Sequence, residues 1–278
     1  MNLERLGRTA PAIPLLVLGL VCLIFPLLVL LHISLQVRGG YGLDNFIDVF
    51  SSSVDRAALG NSLQFALWQA GLCVVLGTPI ALALVRLKGR ARSVVMSFIN
   101  VASSFGGPGL AFAFMLLIGT TGVLTTIWSQ LFGQADFPSL GSMIGLNVIM
   151  LYVHLPLYLM LSLPSYALLR NEWREAARMS GAGFWRFWRQ VGIPTLAPFA
   201  LGNGLQIFMW SMGAYAIPYV VTTSPASIDL ISIEIGRDLE SSVFGVERAA
   251  TLAVILMLLA IAMMWIYRML QRRGERIL

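Results

Sequence analysis

From Thr9 to Val37 the chain runs 29 residues without an aspartate, glutamate, lysine or arginine. Five more apolar stretches of similar reach follow. A helix needs about 20 apolar residues to cross the hydrocarbon core of a bilayer, and a barrel strand only about ten. Inside that core, only a helix or a closed barrel pairs all its own backbone polar groups. Runs of this length therefore predict helices, spanning about 12–35, 60–85, 94–118, 143–168, 197–221 and 249–267. Composition agrees, because 12% of the residues are charged and mean hydropathy is +0.80, whereas soluble domains carry about 25% charged residues. The fold class is an all-α integral membrane protein with six transmembrane helices in a single domain over 1–278. The basic opening, MNLERLGR, looks like the start of a signal peptide, but the apolar run behind it is too long for one. It reads as a retained first span.

Charge sets the orientation. With the N-terminus inside, the inner segments hold fifteen of the 19 basic residues, leaving only Arg38, Arg56, Arg237 and Arg248 outside. The positive-inside rule then places both termini in the cytoplasm. The acids show the reverse bias, with Asp44, Asp48, Asp55, Asp136, Asp229, Glu234, Asp238, Glu240 and Glu247 all outside. A net charge of +6 distributed this way is a collar for anionic membrane lipid, not a nucleic-acid surface. Pro14, Pro26, Pro79, Pro108, Pro156, Pro164 and Pro218 lie in or near the spans and predict kinks. The cluster Gly106-Gly107-Pro108-Gly109 predicts a break or bend in the third span.

The longest charged interruption is RNEWREAARMSGAGFWRFWRQVGIPTLAP, Arg170 to Pro198. Glu172 to Ser180 is built of good helix formers. Gly181 and Gly183 then turn the chain. Phe184, Phe187, Trp188 and Val191 recur at i, i+3, i+4 and i+7, one face of a second short helix, which Pro194 and Pro198 are expected to end. Glu175-Ala176-Ala177, Gly181 after three more residues, and Val191-Gly192-Ile193-Pro194 after nine more resemble the EAA loop of ABC importer permeases. Here Val191 and Ile193 replace the family's Ile and Leu.

The resemblance is to the MetI-like, type I permeases, and within them most to the spermidine/putrescine-type (polyamine, opine, phosphonate) group. Residues Asp44-Asn45-Phe46 and Asn61-Ser62-Leu63 carry that narrower likeness. It implies a type I ABC importer permease fold and a place in the bacterial inner membrane. It implies a partner permease subunit that is a different chain, two ATPase subunits and an extracytoplasmic solute-binding protein, with polyamine the favoured solute. The EAA loop, about 170–196, would be the ATPase-coupling element, carried by Glu175, Ala176, Ala177, Gly181 and Pro194. ATP and Mg would sit on the partner ATPase subunits, and this chain would bind no cofactor.

The residues themselves fit a non-enzymatic role. Lysine occurs once, at Lys88 after Leu87, so a phosphate loop with its Gly-Lys-Ser/Thr cannot form. Cys22 and Cys73 both lie in apolar runs, and His32 and His154 have no partner at metal-ligand spacing. No span contains a carboxylate, which counts against the second reading, a secondary transporter or channel acting without an ATPase. Asn203 and Gln206 are three apart on the side of a helix that also carries Trp210. These three and His154 are the candidates for a translocation path, against the plainer reading that such polar groups bond between helices.

Overall fold

The computed structural model describes residues 13–37, 40–132, 139–169, 171–222, 228–241 and 245–277. Arg5, Arg8, Arg38, Asp136 and Arg170 fall outside them, as do the side chains of Arg273 and Arg276. The elements are α1 (Ile13–Ser34), a hairpin of β1 (Gln36–Val37) and β2 (Gly40–Tyr41), α2 (Asp44–Ser51), α3 (Ser53–Arg86), α4 (Gly89–Ser104), α5 (Pro108–Ile118), α6 (Val123–Phe132) and α7 (Met143–Tyr166). There follow α8 (Asn171–Met179), α9 (Phe184–Phe187), a π-helical turn (Trp188–Gly192), α10 (Ile193–Met212), α11 (Ala216–Val221), α12 (Ile231–Ser241) and α13 (Gly245–Ile277). Among the described residues, six segments are long and apolar enough to cross a membrane: Val17–Ser34, Ser53–Arg86, Pro108–Leu131, Met143–Tyr166, Phe184–Met212 and Gly245–Arg272.

Two of these differ from the sequence expectation. The third was expected at 94–118, yet the apolar segment starts at Pro108 and runs through α6. Gly107 has φ +78° and Pro108 takes a first-turn position of α5, where a missing N–H costs nothing. The chain therefore breaks at the glycine pair. Between the expected third and fourth spans, Val123–Phe132 form the helix α6, at whose start Thr125 and Thr126 donate their hydroxyls back to Gly119 O and Gly122 O. The other is the fifth, expected at 197–221 but running from Phe184 to Met212, because Pro194 does not end the helix begun at Phe184. A proline removes one N–H and crowds the carbonyl four residues back. Here the π turn absorbs that conflict just before it, and the helix continues to Met212.

Contacts divide the chain into two compact units. One comprises residues up to Arg56 with Glu234–Leu258. In it the hairpin pairs Gln36 with Tyr41 and Val37 with Gly40. Asn45 donates to Ser34 O at 3.1 Å and to Gln36 O at 2.7 Å. Arg248 donates to Asp55 Oδ1 at 2.7 Å and lies 3.3 Å from Asp238 Oδ2. Helix α1 is apolar on every side and mostly exposed, as suits a span that faces lipid.

The other unit holds residues 57–233 and 259–278, with α7 and α10 both heavily buried in it. A polar seam runs along one side of α7 at Asn147, His154, Tyr158, Ser162 and Tyr166. Gln69 on α3 donates to Asn147 O at 2.7 Å and lies 3.4 Å from His154 Nδ1. Thr78 on α3 meets both Tyr158 and Tyr166 hydroxyls at 3.0 and 3.1 Å. Asn203 on α10 donates to Ser162 at 3.0 Å, and Ser211 lies 3.3 Å from His154. Within a bilayer these bonds hold helices together where the hydrophobic effect gives no drive. Gly77 allows the close approach, since a Cβ there would meet the Tyr158 ring at 2.4 Å. Gly77→Ala is expected to cost about 1–3 kcal/mol, read as a lowered melting temperature of the purified chain. An unchanged melting temperature would show that α3 and α7 can part without penalty.

Candidate functional site

The EAA stretch becomes a helix, a turn and a second helix. Helix α8 closes at Gly181, whose φ of +70° few other residues adopt. Ala182 N–H donates to Ala177 O at 2.9 Å and Gly181 N–H to Arg178 O at 3.0 Å. That pair of bonds is a Schellman cap and satisfies carbonyls the helix would otherwise leave open. No atom lies within 4 Å of where a Gly181 Cβ would sit. The requirement at 181 is therefore one of backbone conformation, not of space.

The inner side of this element is held by rings. Arg174 sits with its guanidinium carbon 5.6 Å from the Phe187 ring centroid and 6.0 Å from that of Trp188, within cation–π range. Burial, then the nearby charges of Arg86 and Arg178, push the Arg174 guanidinium below its ordinary pKa. Phe187 is buried. The outer side is different in kind. Glu175 and Ala176 are exposed, Ala177 is half-buried and Pro194 is exposed. Beside them Met179 is 91%, Trp185 82% and Phe184 66% exposed. A carboxylate, a small residue and three large apolar side chains thus share an uncovered tip, the composition of a protein-docking surface. Met179 and Trp185 were not anticipated, although both flank the glycine turn. Spacing alone does not give their exposure.

The candidate path residues separate. Asn203 and His154 are buried and hydrogen-bonded in the α7 seam. Gln206 is half-buried, and Trp210 is 47% exposed one turn further along the same side of α10. Asn61 and Ser62 serve the chain itself: Asn61 donates to Asp229 O at 3.1 Å, and Ser62 Oγ accepts from Ile231 N–H at 2.8 Å. In the first unit, a cleft of about 600 Å³ is lined by Gln36, Tyr41 and Asn45 with three carboxylates, Asp44, Asp48 and Glu247. Among the described residues no group of His, Cys, Asp and Glu is arranged to hold a metal.

With that geometry in hand, the comparisons with known proteins fall into one class. The family described as "Binding-protein-dependent transport system inner membrane component" matches residues 73–276. The osmoprotective compounds uptake permease protein GgtC of Synechocystis is 24% identical over 256 residues, covering 87% of this chain and 90% of that protein. The sulfate transport system permease protein CysW of Synechocystis is 26% identical, covering 84% and 82%. The putative 2-aminoethylphosphonate transport system permease protein PhnU of Salmonella typhimurium is also 26% identical, covering 74% and 72%. In fold, the chain is similar to a chain of the bacterial alginate ABC transporter crystallised with an alginate pentasaccharide-bound periplasmic protein. The TM-score is 0.73 at 17% identity, over 97% of this chain and 96% of that one. A matched stretch of that extent, on six spans with the EAA spacing folded into an exposed tip, decides the matter: the chain belongs to the family of inner-membrane permease components of binding-protein-dependent ABC importers, which are transport subunits and not enzymes.

Proposed function

We propose that the chain forms half of a translocation path, with its basic helix ends in the cytoplasm and its acidic face outside. A second permease subunit completes the path, two ATPase subunits drive it, and a solute-binding protein delivers the cargo. The observation that carries the reading is the uncovered tip of α8 and α9, where Glu175 and Ala176 stand beside Met179 and Trp185. A groove on an ATPase would cover these apolar side chains and offer Glu175 a basic partner. Glu175→Arg is expected to lower uptake in reconstituted complexes at least about tenfold by reversing a charge-assisted contact. The protein should still insert, and ATP hydrolysis should no longer respond to loaded binding protein. Wild-type uptake in this variant would remove α8 as the coupling element. On the path, Gln206 and Trp210 are the residues open enough to meet a solute.

For the cargo we favour a solute bearing a cationic amine, a polyamine first. Support comes from the acidic cleft at Asp44, Asp48 and Glu247 and from the narrower sequence likeness. The relatives named above carry osmoprotective compounds, sulfate or an aminophosphonate, so the binding protein is the place to decide. Calorimetry of the cognate binding protein should show tight binding of spermidine or putrescine. Binding of sulfate or a sugar, with no heat from any amine, would discard the assignment.

A further inference from the structure

Beneath the coupling tip lies a pocket of about 560 Å³ that the transport cycle does not account for. Three cations converge on it from separate elements: Arg86 at the last residue of α3, Lys88 in the turn before α4, and Arg174 on α8. None of the three makes an ion pair with a described residue. A single carboxylate, Glu172, shares the lining. The C-terminal ends of α3 and α7 also face this level and add partial negative charge, which Arg86 answers at the end of its own helix. Three full positive charges against one negative still leave the pocket cationic. Its remaining walls are apolar: Val85 and Leu169 pack on the cluster formed by Leu84, Leu163 and Tyr166, and Phe187 supports Arg174. Arg174 is thus held by packed rings, Arg86 and Lys88 are exposed, and none of the three has a counter-ion among the described residues.

Like charges brought together without counter-ions repel; Arg86 and Lys88 stay exposed to solvent, whereas the half-buried Arg174 also loses hydration. Arg174 feels both effects, from burial and from Arg86 and Arg178. An anion placed among the three would reverse both. The groups present select its chemistry, since guanidinium and ammonium donors suit phosphate oxygens. The space is far larger than an inorganic ion needs, and its apolar walls begin at the membrane ends of α3 and α7. Basic pockets between membrane helices at the inner surface are known to hold phospholipid headgroups.

We propose that this pocket binds the phosphate of an anionic membrane phospholipid, with Arg86, Lys88 and Arg174 as its ligands. The bound headgroup would neutralise the repulsion between α8 and the end of α3 and so hold the coupling element against the membrane surface. That second consequence rests on α8 being the coupling helix; the binding itself does not.

The test uses the full-length purified permease in detergent, with thermal melting and native mass spectrometry as readouts. Phosphatidylglycerol should raise the melting temperature and stay bound, while phosphatidylcholine should do neither. The double variant Arg86→Gln, Lys88→Gln should weaken phosphatidylglycerol binding about thirtyfold. Arg86→Lys should largely restore it. The control pair Arg90→Gln, Arg92→Gln removes as much charge from the same basic segment but not from the pocket, and should bind as the wild type does. Equal losses in both pairs would reduce the site to a diffuse charge effect and overturn the proposal. If inorganic phosphate stabilised the protein as well as the lipid did and displaced it, the lipid assignment would be overturned in favour of a free phosphate. Because binding is read without an ATPase, a failure here leaves the Glu175→Arg result untouched, and the reverse also holds.

Discussion

Valine at position 181 should abolish uptake while leaving the protein in the membrane, and asparagine at the same position should largely preserve it. The two side chains are not very different in size, and the space at Gly181 is open to both. They differ in whether they accept a φ of +70°. A left-handed conformation costs an L-residue about 1–2 kcal/mol, least for asparagine and most for a β-branched residue. Valine would give up that conformation and with it the two capping bonds to Ala177 O and Arg178 O. The last turn of α8 would then unwind or re-aim, carrying Glu175 and Met179 away from their present positions. Uptake and ATPase stimulation in reconstituted complexes would show this directly. If valine transported as well as asparagine, the angle set at Gly181 would be irrelevant to coupling.

Arg248→Met is expected to destabilise the protein by about 3–5 kcal/mol, and Asp55→Asn by clearly less. The asymmetry comes from burial. The Asp55 side chain is 1% exposed and that of Asp238 16%, whereas Arg248 remains 43% exposed. Removing the arginine strands two carboxylates near each other with no cation, one of them cut off from water. Burial already raises the Asp238 pKa, and Asp55 raises it further, against the lowering effect of Arg248. Removing the Asp55 charge, in contrast, leaves Arg248 both solvent and Asp238. Melting of the two single variants and their combination gives the coupling between them. The double variant should recover part of the loss from Arg248→Met. A larger loss from Asp55→Asn would mean the arginine, not the aspartate, is the group that burial penalises.

Much of this architecture was legible in advance because charge is so sparse. Long gaps between charged residues located the spans, and the spacing from Glu175 to Gly181 to Pro194 marked out the helix and glycine turn that we propose as the coupling element. What sequence misjudged were local conflicts settled by neighbours. Gly107 and Pro108 moved the third span forward, and the hydroxyls of Thr125 and Thr126 bonded within a helix that looked polar enough for a loop. Pro194 was absorbed by a π turn instead of ending its helix. Contacts distant in sequence were beyond reach altogether. Nothing in the spacing of Arg174 tells that it lies on Phe187 and Trp188, or that Asn61 and Ser62 anchor the segment at Asp229 to Ile231. Asn203 and His154 were drawn into the α7 seam because an unpaired amide or imidazole in hydrocarbon costs more than one bonded to a neighbouring helix.

The π turn before Pro194 has a mechanical meaning. Because the helix is not interrupted there, Phe184 to Met212 acts as one strut of 29 residues, about 44 Å long at 1.5 Å per residue. If an ATPase docks at the aromatic foot as proposed, a push there would tilt the side bearing Gln206 and Trp210 without a relay through other helices. The widened turn, with its missing proline bond, is the compliant point of that strut. Stiffness there, more than the identity of any cargo-facing residue, would set how much of a motor's stroke reaches the other end.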